Sequence, residues 1–170
     1  MKHSCFVKLA MSAALIGFLA LGLAPVASAN TATNSFTVSA TVVTACTVTA
    51  TNMAFGTVVP SASLATYTST QSAITVTCTS GDPYTVALTA GLGTGATETS
   101  RYMMSGTTNK LAYALFNDST RLTNWGTLNG YLSESGSGTA QVWPVYGQIS
   151  AQTAPPTGSY TDTITVNVTY

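Results

Sequence analysis

Threonine alternates with branched or small apolar residues along most of this chain, and that pattern leaves little room for anything but β-structure. Residues 160–170 read YTDTITVNVTY. A period of two places successive side chains on opposite faces of a strand. Ile164, Val166, Val168 and Tyr170 therefore share one face, and Thr163, Thr165, Asn167 and Thr169 share the other. The first face is expected to pack in a core and the second to meet water. Residues 35–43, SFTVSATVV, repeat the pattern, with Phe36, Val38, Ala40 and Val42 on one side and Thr37, Ser39, Thr41 and Val43 on the other. β-Branched residues fit a pleated, half-buried surface. No window carries the 3.6-residue period of an amphipathic helix.

Eight segments read as strands: 35–43, 46–51, 54–59, 73–79, 84–89, 111–117, 141–149 and 161–170. Turn chemistry separates several of them. Ser80-Gly81-Asp82-Pro83, Gly91-Leu92-Gly93-Thr94-Gly95, Asn117-Asp118-Ser119, Gly136-Ser137-Gly138 and Pro155-Pro156-Thr157-Gly158 all supply residues that favour tight reversals. Many short strands with frequent turns predict an all-β sandwich. No internal repeat and no second globular domain is evident.

The N-terminus reads as a secretory signal over residues 1–29. Lys2 and Lys8 precede or flank the start of an apolar run from Leu9 to Leu23, and Ala27-Ser28-Ala29 supplies small residues for cleavage. The mature chain would begin at Asn30 and hold 141 residues, the size of one domain. Threonine contributes 32 of those 141 residues, which makes the surface neutral and rich in hydroxyls. Removing the signal leaves three cations, Arg101, Lys110 and Arg121, against five carboxylates, a net charge of −2. So little positive charge provides no electrostatic footprint for nucleic acid.

The mature chain keeps two cysteines, Cys46 and Cys78. In an exported protein an even pair reads as a disulfide. Closing that loop would contribute about 3–4 kcal/mol by chain entropy. A structural zinc site needs four nitrogen or sulfur ligands, which two cysteines do not supply. The one histidine, His3, lies in the signal. A serine or cysteine nucleophile activated by histidine is thus not expected. The five acids form no evident catalytic pair, and the glycines at 91–95 do not fit a phosphate-binding loop. No enzyme activity and no cofactor are expected. Trp125, Trp143, Tyr102 and Tyr131 could stack on carbohydrate, but so few aromatics usually serve a core or a subunit contact.

Two ends remain to be explained. A domain that closes on a patterned strand exposes an edge that can template association. A patterned segment tethered at the other end can be added to a neighbour's sheet. The competing reading makes residues 35–43 an ordinary first strand of a self-contained secreted sandwich, a spore-coat or surface ligand-binding protein.

In order along the chain, several short motifs recur together. They are the alternating segment before Cys46-Thr47-Val48, Phe55-Gly56-Thr57, Ile74-Thr75-Val76-Thr77-Cys78 and Tyr84-Thr85-Val86-Ala87-Leu88. Leu111 to Phe116, Arg121, Trp125-Gly126, Val145-Tyr146-Gly147 and Gly158 to Asp162 follow. On these the chain resembles the spore coat protein U family, which includes subunits of archaic chaperone–usher pili. The resemblance implies an incomplete immunoglobulin-like β-sandwich completed by a donated strand. It implies a donor extension at 30–44, a pilin domain at 45–170, and export through the periplasm to a cell-surface fimbrium. The implied partners are identical or related pilin subunits, a periplasmic chaperone and an outer-membrane usher. Phe36, Val38, Ala40 and Val42 would be donor side chains. The strand carrying Ile164, Val166, Val168 and Tyr170 would border the acceptor groove, with the Tyr170 carboxylate an anchor for a basic chaperone residue. Ala40 is small where a bulky donor is expected, so either its pocket is shallow or the register shifts by two residues.

Overall fold

The computed structural model describes residues 29–59 and 63–170. The expected signal at 1–29 falls almost wholly outside the described residues. The chain divides into two units, residues 1–40 and 41–170. In the first, residues 29–40 are exposed and carry no ladder.

The second unit is all-β, with no helix among the described residues. Its strands are β1 (Cys46–Ala50), β2 (Ser63–Leu64), β3 (Tyr67–Cys78), β4 (Pro83–Leu88) and β5 (Arg101–Ser105). They continue with β6 (Asn109–Phe116), β7 (Leu132–Ser135), β8 (Gln141–Ile149), β9 (Gln152–Thr153) and β10 (Val166–Thr169). One sheet runs β1-β3-β8-β6-β5, a second runs β10-β4-β7, and β2 pairs with β9. Every pairing is antiparallel. The two larger sheets form an immunoglobulin-like sandwich.

Period-two alternation explains how they meet. Ile74, Val76 and Cys78 of β3, Leu111, Tyr113 and Leu115 of β6, and Val145 and Ile149 of β8 are buried at every second position. From the other sheet come Tyr84, Val86 and Leu88 of β4, and Trp125 fills the space beside them. Trp125 donates its indole N–H to the Val86 carbonyl at 2.9 Å, so the ring is buried without an orphaned donor. That position rules Trp125 out of any carbohydrate-stacking surface.

Cys46 and Cys78 sit directly opposite each other on β1 and β3 and form a disulfide, with Cα atoms 4.1 Å apart. The expected strands 46–51, 84–89, 111–117 and 141–149 appear with end shifts of up to two residues, and 73–79 is the second half of the longer β3. Three expectations differ locally. Residues 35–43 and 54–59 form no strand, and the terminal ladder starts at Val166 rather than at 161. A segment needs a hydrogen-bonded neighbour to form a ladder, and alternation alone cannot provide one. Strands β5 and β7 carry weaker alternation and are found only in the structure.

Candidate functional site

A long groove of about 1060 Å³ opens into the sandwich core. Its floor includes Ile74, Leu88, Leu111, Leu115, Val145 and Ile149, all at least 95% buried. Ala50 at the end of β1 and residues 51–58 after it line it, as do residues 155–164, which lead into β10, and Val166, its first residue. β10 is an edge: it pairs with β4, and no described strand pairs with its other side. A core that reaches an open groove beside an unpaired main-chain edge is the arrangement that accepts an added strand.

Each border of the groove is held by specific contacts. On one side, residues 51–58 act as a strap. The Ser72 hydroxyl donates to the Thr51 carbonyl at 2.7 Å and the Ser69 hydroxyl to the Ala54 carbonyl at 3.0 Å. These serines flank an irregularity in the β3–β8 register, which turns their side chains to the strap's service. Met53 and Phe55 lie across Gly147 of β8. A Cβ at Gly147 would stand 2.3 Å from the Met53 sulfur and 2.8 Å from the Phe55 ring, so only glycine admits the strap at this distance. Phe55 also meets Tyr113 edge-on, with centroids 6.3 Å apart.

On the other side, the terminal segment changes sheets. Thr161 exchanges main-chain hydrogen bonds with Met104 of β5, at 2.8 and 3.1 Å. Four residues later, Thr165 accepts from Thr89 N–H beyond the end of β4 at 3.1 Å, and the β10–β4 ladder continues from there. Asp162 marks the corner. One of its oxygens accepts from the Tyr113 hydroxyl at 2.6 Å. The other accepts from the backbone N–H of Leu92 at 2.8 Å and of Thr163 at 2.7 Å. Gly91 has φ +87°, and a Cβ there would come within 2.2 Å of this carboxylate. The glycine-rich loop at 91–95 is therefore tied down by Asp162. Burial, and then the bond to the Asp162 carboxylate, push the Tyr113 hydroxyl far above its ordinary pKa, which keeps it a donor.

Arg101 was not singled out by its sequence context, yet it is completely buried. Its guanidinium donates to the carbonyls of Thr89 at 2.9 Å, Glu98 at 2.6 Å, Leu88 at 3.3 Å and Trp125 at 2.6 Å. It thereby joins the end of β4 to two long loops. Burial draws its pKa below the ordinary value. A lone arginine in a strand-like context carries no periodic signal for such a role.

The sequence-derived site residues are placed as follows. Ile164, Val166 and Val168 are half-buried against the core, and the first two line the groove. Tyr170 follows the last ladder residue and is 59% exposed. Phe36, Val38 and Val42 are more than 80% exposed, and Ala40 is exposed too. Residues 35–43 pair with no strand.

A model of the Spore Coat Protein U domain matches residues 32–167. The chain belongs to the Spore Coat Protein U domain family. Among solved structures it is similar to a chain in the crystal structure of the CsuC–CsuE chaperone–tip adhesion subunit pre-assembly complex, from archaic chaperone–usher Csu pili of Acinetobacter baumannii. The two share 28% identity with a TM-score of 0.55, over 76% of this chain and 40% of that one. The match thus spans about two fifths of that relative's length. Comparison with curated proteins gives no match.

Proposed function

We propose that this Spore Coat Protein U domain protein is a structural subunit of a chaperone–usher pilus that polymerises by strand donation. Residues 30–44 of one copy enter the groove of the next and pair with the open edge of β10. The observation that carries this reading is the groove itself, a cleft about 1060 Å³ in volume with an apolar floor, beside an edge strand. The exposed, alternating segment 35–43 has the chemistry to fill it. Main-chain bonds supply cohesion, and alternate side chains in the cleft supply register. A head-to-tail contact that does not close on itself gives a filament.

Before assembly the same groove needs a temporary occupant, which in this reading is a periplasmic chaperone strand. An outer-membrane usher then passes subunits to the cell surface, where the fimbrium serves adhesion and biofilm formation. The role is structural, with no catalytic step. Electron microscopy of cells producing the protein with its chaperone and usher tests the reading. Fibres are expected from the native chain and none from a Phe36→Asp/Val38→Asp variant. Undiminished fibres from that variant would refute donation by this segment.

A further inference from the structure

Polar residues such as Thr51, Asn52, Ser72 and Thr157 line the groove beside its apolar floor, but among the described residues it has one charged side chain, Asp162. On the segment leading into β10, the residues that alternate toward it are Tyr160, Asp162, Ile164 and Val166, each half-buried and each lining the cleft. Asp162 cannot swing aside. Its oxygens are committed to the Tyr113 hydroxyl and to the Leu92 and Thr163 N–H groups, and the backbone of Gly91 lies against it. The Tyr113 ring lines the groove at the same level.

The exposed extension also offers four alternate side chains, three bulky and one methyl: Phe36, Val38, Ala40 and Val42. Laid antiparallel, four against four, Phe36 comes opposite Val166, Val38 opposite Ile164, Ala40 opposite Asp162 and Val42 opposite Tyr160. The one small donor meets the one charged side chain of the groove. A two-residue slip in either direction puts Val42 or Val38 on Asp162 instead. The parallel arrangement also puts Val38 there. Each alternative presses a branched side chain onto a carboxylate and removes water from it without replacing a hydrogen bond. A one-residue slip presents Thr37, Ser39 and Thr41 to the apolar floor.

We infer that the Tyr113–Asp162 pair is the register key of the groove, accepting Ala40 from residues 35–43 of a second copy laid antiparallel to the terminal strand. This rests on the strand-donation reading above. It gives the small size of Ala40 a cause: the pair already fills that level, and a methyl is what fits.

Cross-linking within assembled fibres of the full chain tests the register. Thr37 is exposed, as are Thr161, Thr163, Thr165 and Asn167. The key places Thr37 opposite Thr165. A Thr37→Cys/Thr165→Cys variant is expected to form intermolecular disulfides, as the opposed Cys46 and Cys78 do within the domain. Pairing Thr37→Cys with Thr163→Cys or Asn167→Cys reports the two slips, and pairing it with Thr161→Cys reports the parallel arrangement. These are expected to cross-link poorly, because the diagonal neighbours at 163 and 167 lie roughly 7–8 Å from Thr37, beyond disulfide reach, and Thr161 lies farther still. Fibres that cross-link best through one of those three pairs would overturn the register while leaving donation intact. Absence of both fibres and cross-links would overturn donation and the register with it. A second measurement isolates the key: Ala40→Leu is expected to slow assembly roughly tenfold or more through overpacking, while Val38→Leu changes it little. Equal assembly by the two variants would refute the role of the pair.

Discussion

At the residue scale, a few polar side chains hold loops to the apolar core of the sandwich. Arg101 supplies hydrogen bonds to four carbonyls from a fully buried position. Arg101→Met removes a buried charge but orphans those carbonyls, and each unsatisfied buried group is costly. The variant is expected to lose about 3–5 kcal/mol in urea unfolding. Arg101→Lys should recover only part, because an ammonium cannot reproduce the fork of donors. Acid reports on two loop carboxylates. Hydrogen bonds from the Thr120 side chain and the Thr123 and Leu122 N–H groups lower the Asp118 pKa from 3.8 to about 2. Burial acts to raise that of Glu98, but bonds from Thr127 and Leu128 and the nearby Arg101 outweigh it and leave the value lowered from 4.5. Both folded values lie below the unfolded ones. Their contribution is therefore present above about pH 4.5 and fades as pH falls toward 2. Urea midpoints should drop across that window in the native chain and less steeply in an Asp118→Asn/Glu98→Gln variant.

At the element scale, the ladders were legible in the sequence and the groove borders were not. Strands β4, β6 and β8 alternate cleanly, so burial at every second position follows from pattern alone. The strap at 51–58 also alternates in part, but it is fixed by Ser69, Ser72 and the bare backbone of Gly147. These contacts are remote in sequence, and no local period encodes them. The corner at Asp162 is similar: its threonine-rich flanks read as one strand, while Met104 and Thr89 claim its two halves for different sheets. Gly147→Ala is expected to displace Met53 and Phe55 and cost about 1–3 kcal/mol by overpacking, seen as a lower melting temperature and weaker protection of the strap amides in hydrogen exchange. Replacing both cysteines with serine releases β1 from β3 covalently. The loss should be about 3–4 kcal/mol of stability in the otherwise identical chain.

At the scale of the whole molecule, the sequence announces a sandwich through its alternation, and the family match agrees with that reading over residues 32–167. What alternation cannot say is where a strand's partner lies, because a segment's pattern is the same whether that partner is in its own sheet or in a neighbour's. Residues 35–43 have that ambiguous pattern, and they stand exposed and unpaired. The groove is where an absent partner would act. On the strand-donation reading, a hairpin linker after Tyr170 would return a copied donor segment antiparallel along β10 and make the domain self-sufficient.

Thermal melting of two oxidised variants lacking residues 30–44 tests the central claim most directly. One carries, after Tyr170 and a short linker, a copy of residues 34–44. The other carries the same residues scrambled. Strand donation predicts a monomer with the native copy that melts far above the scrambled one. Equal and high melting temperatures would contradict it, because the sandwich would then be complete without the segment.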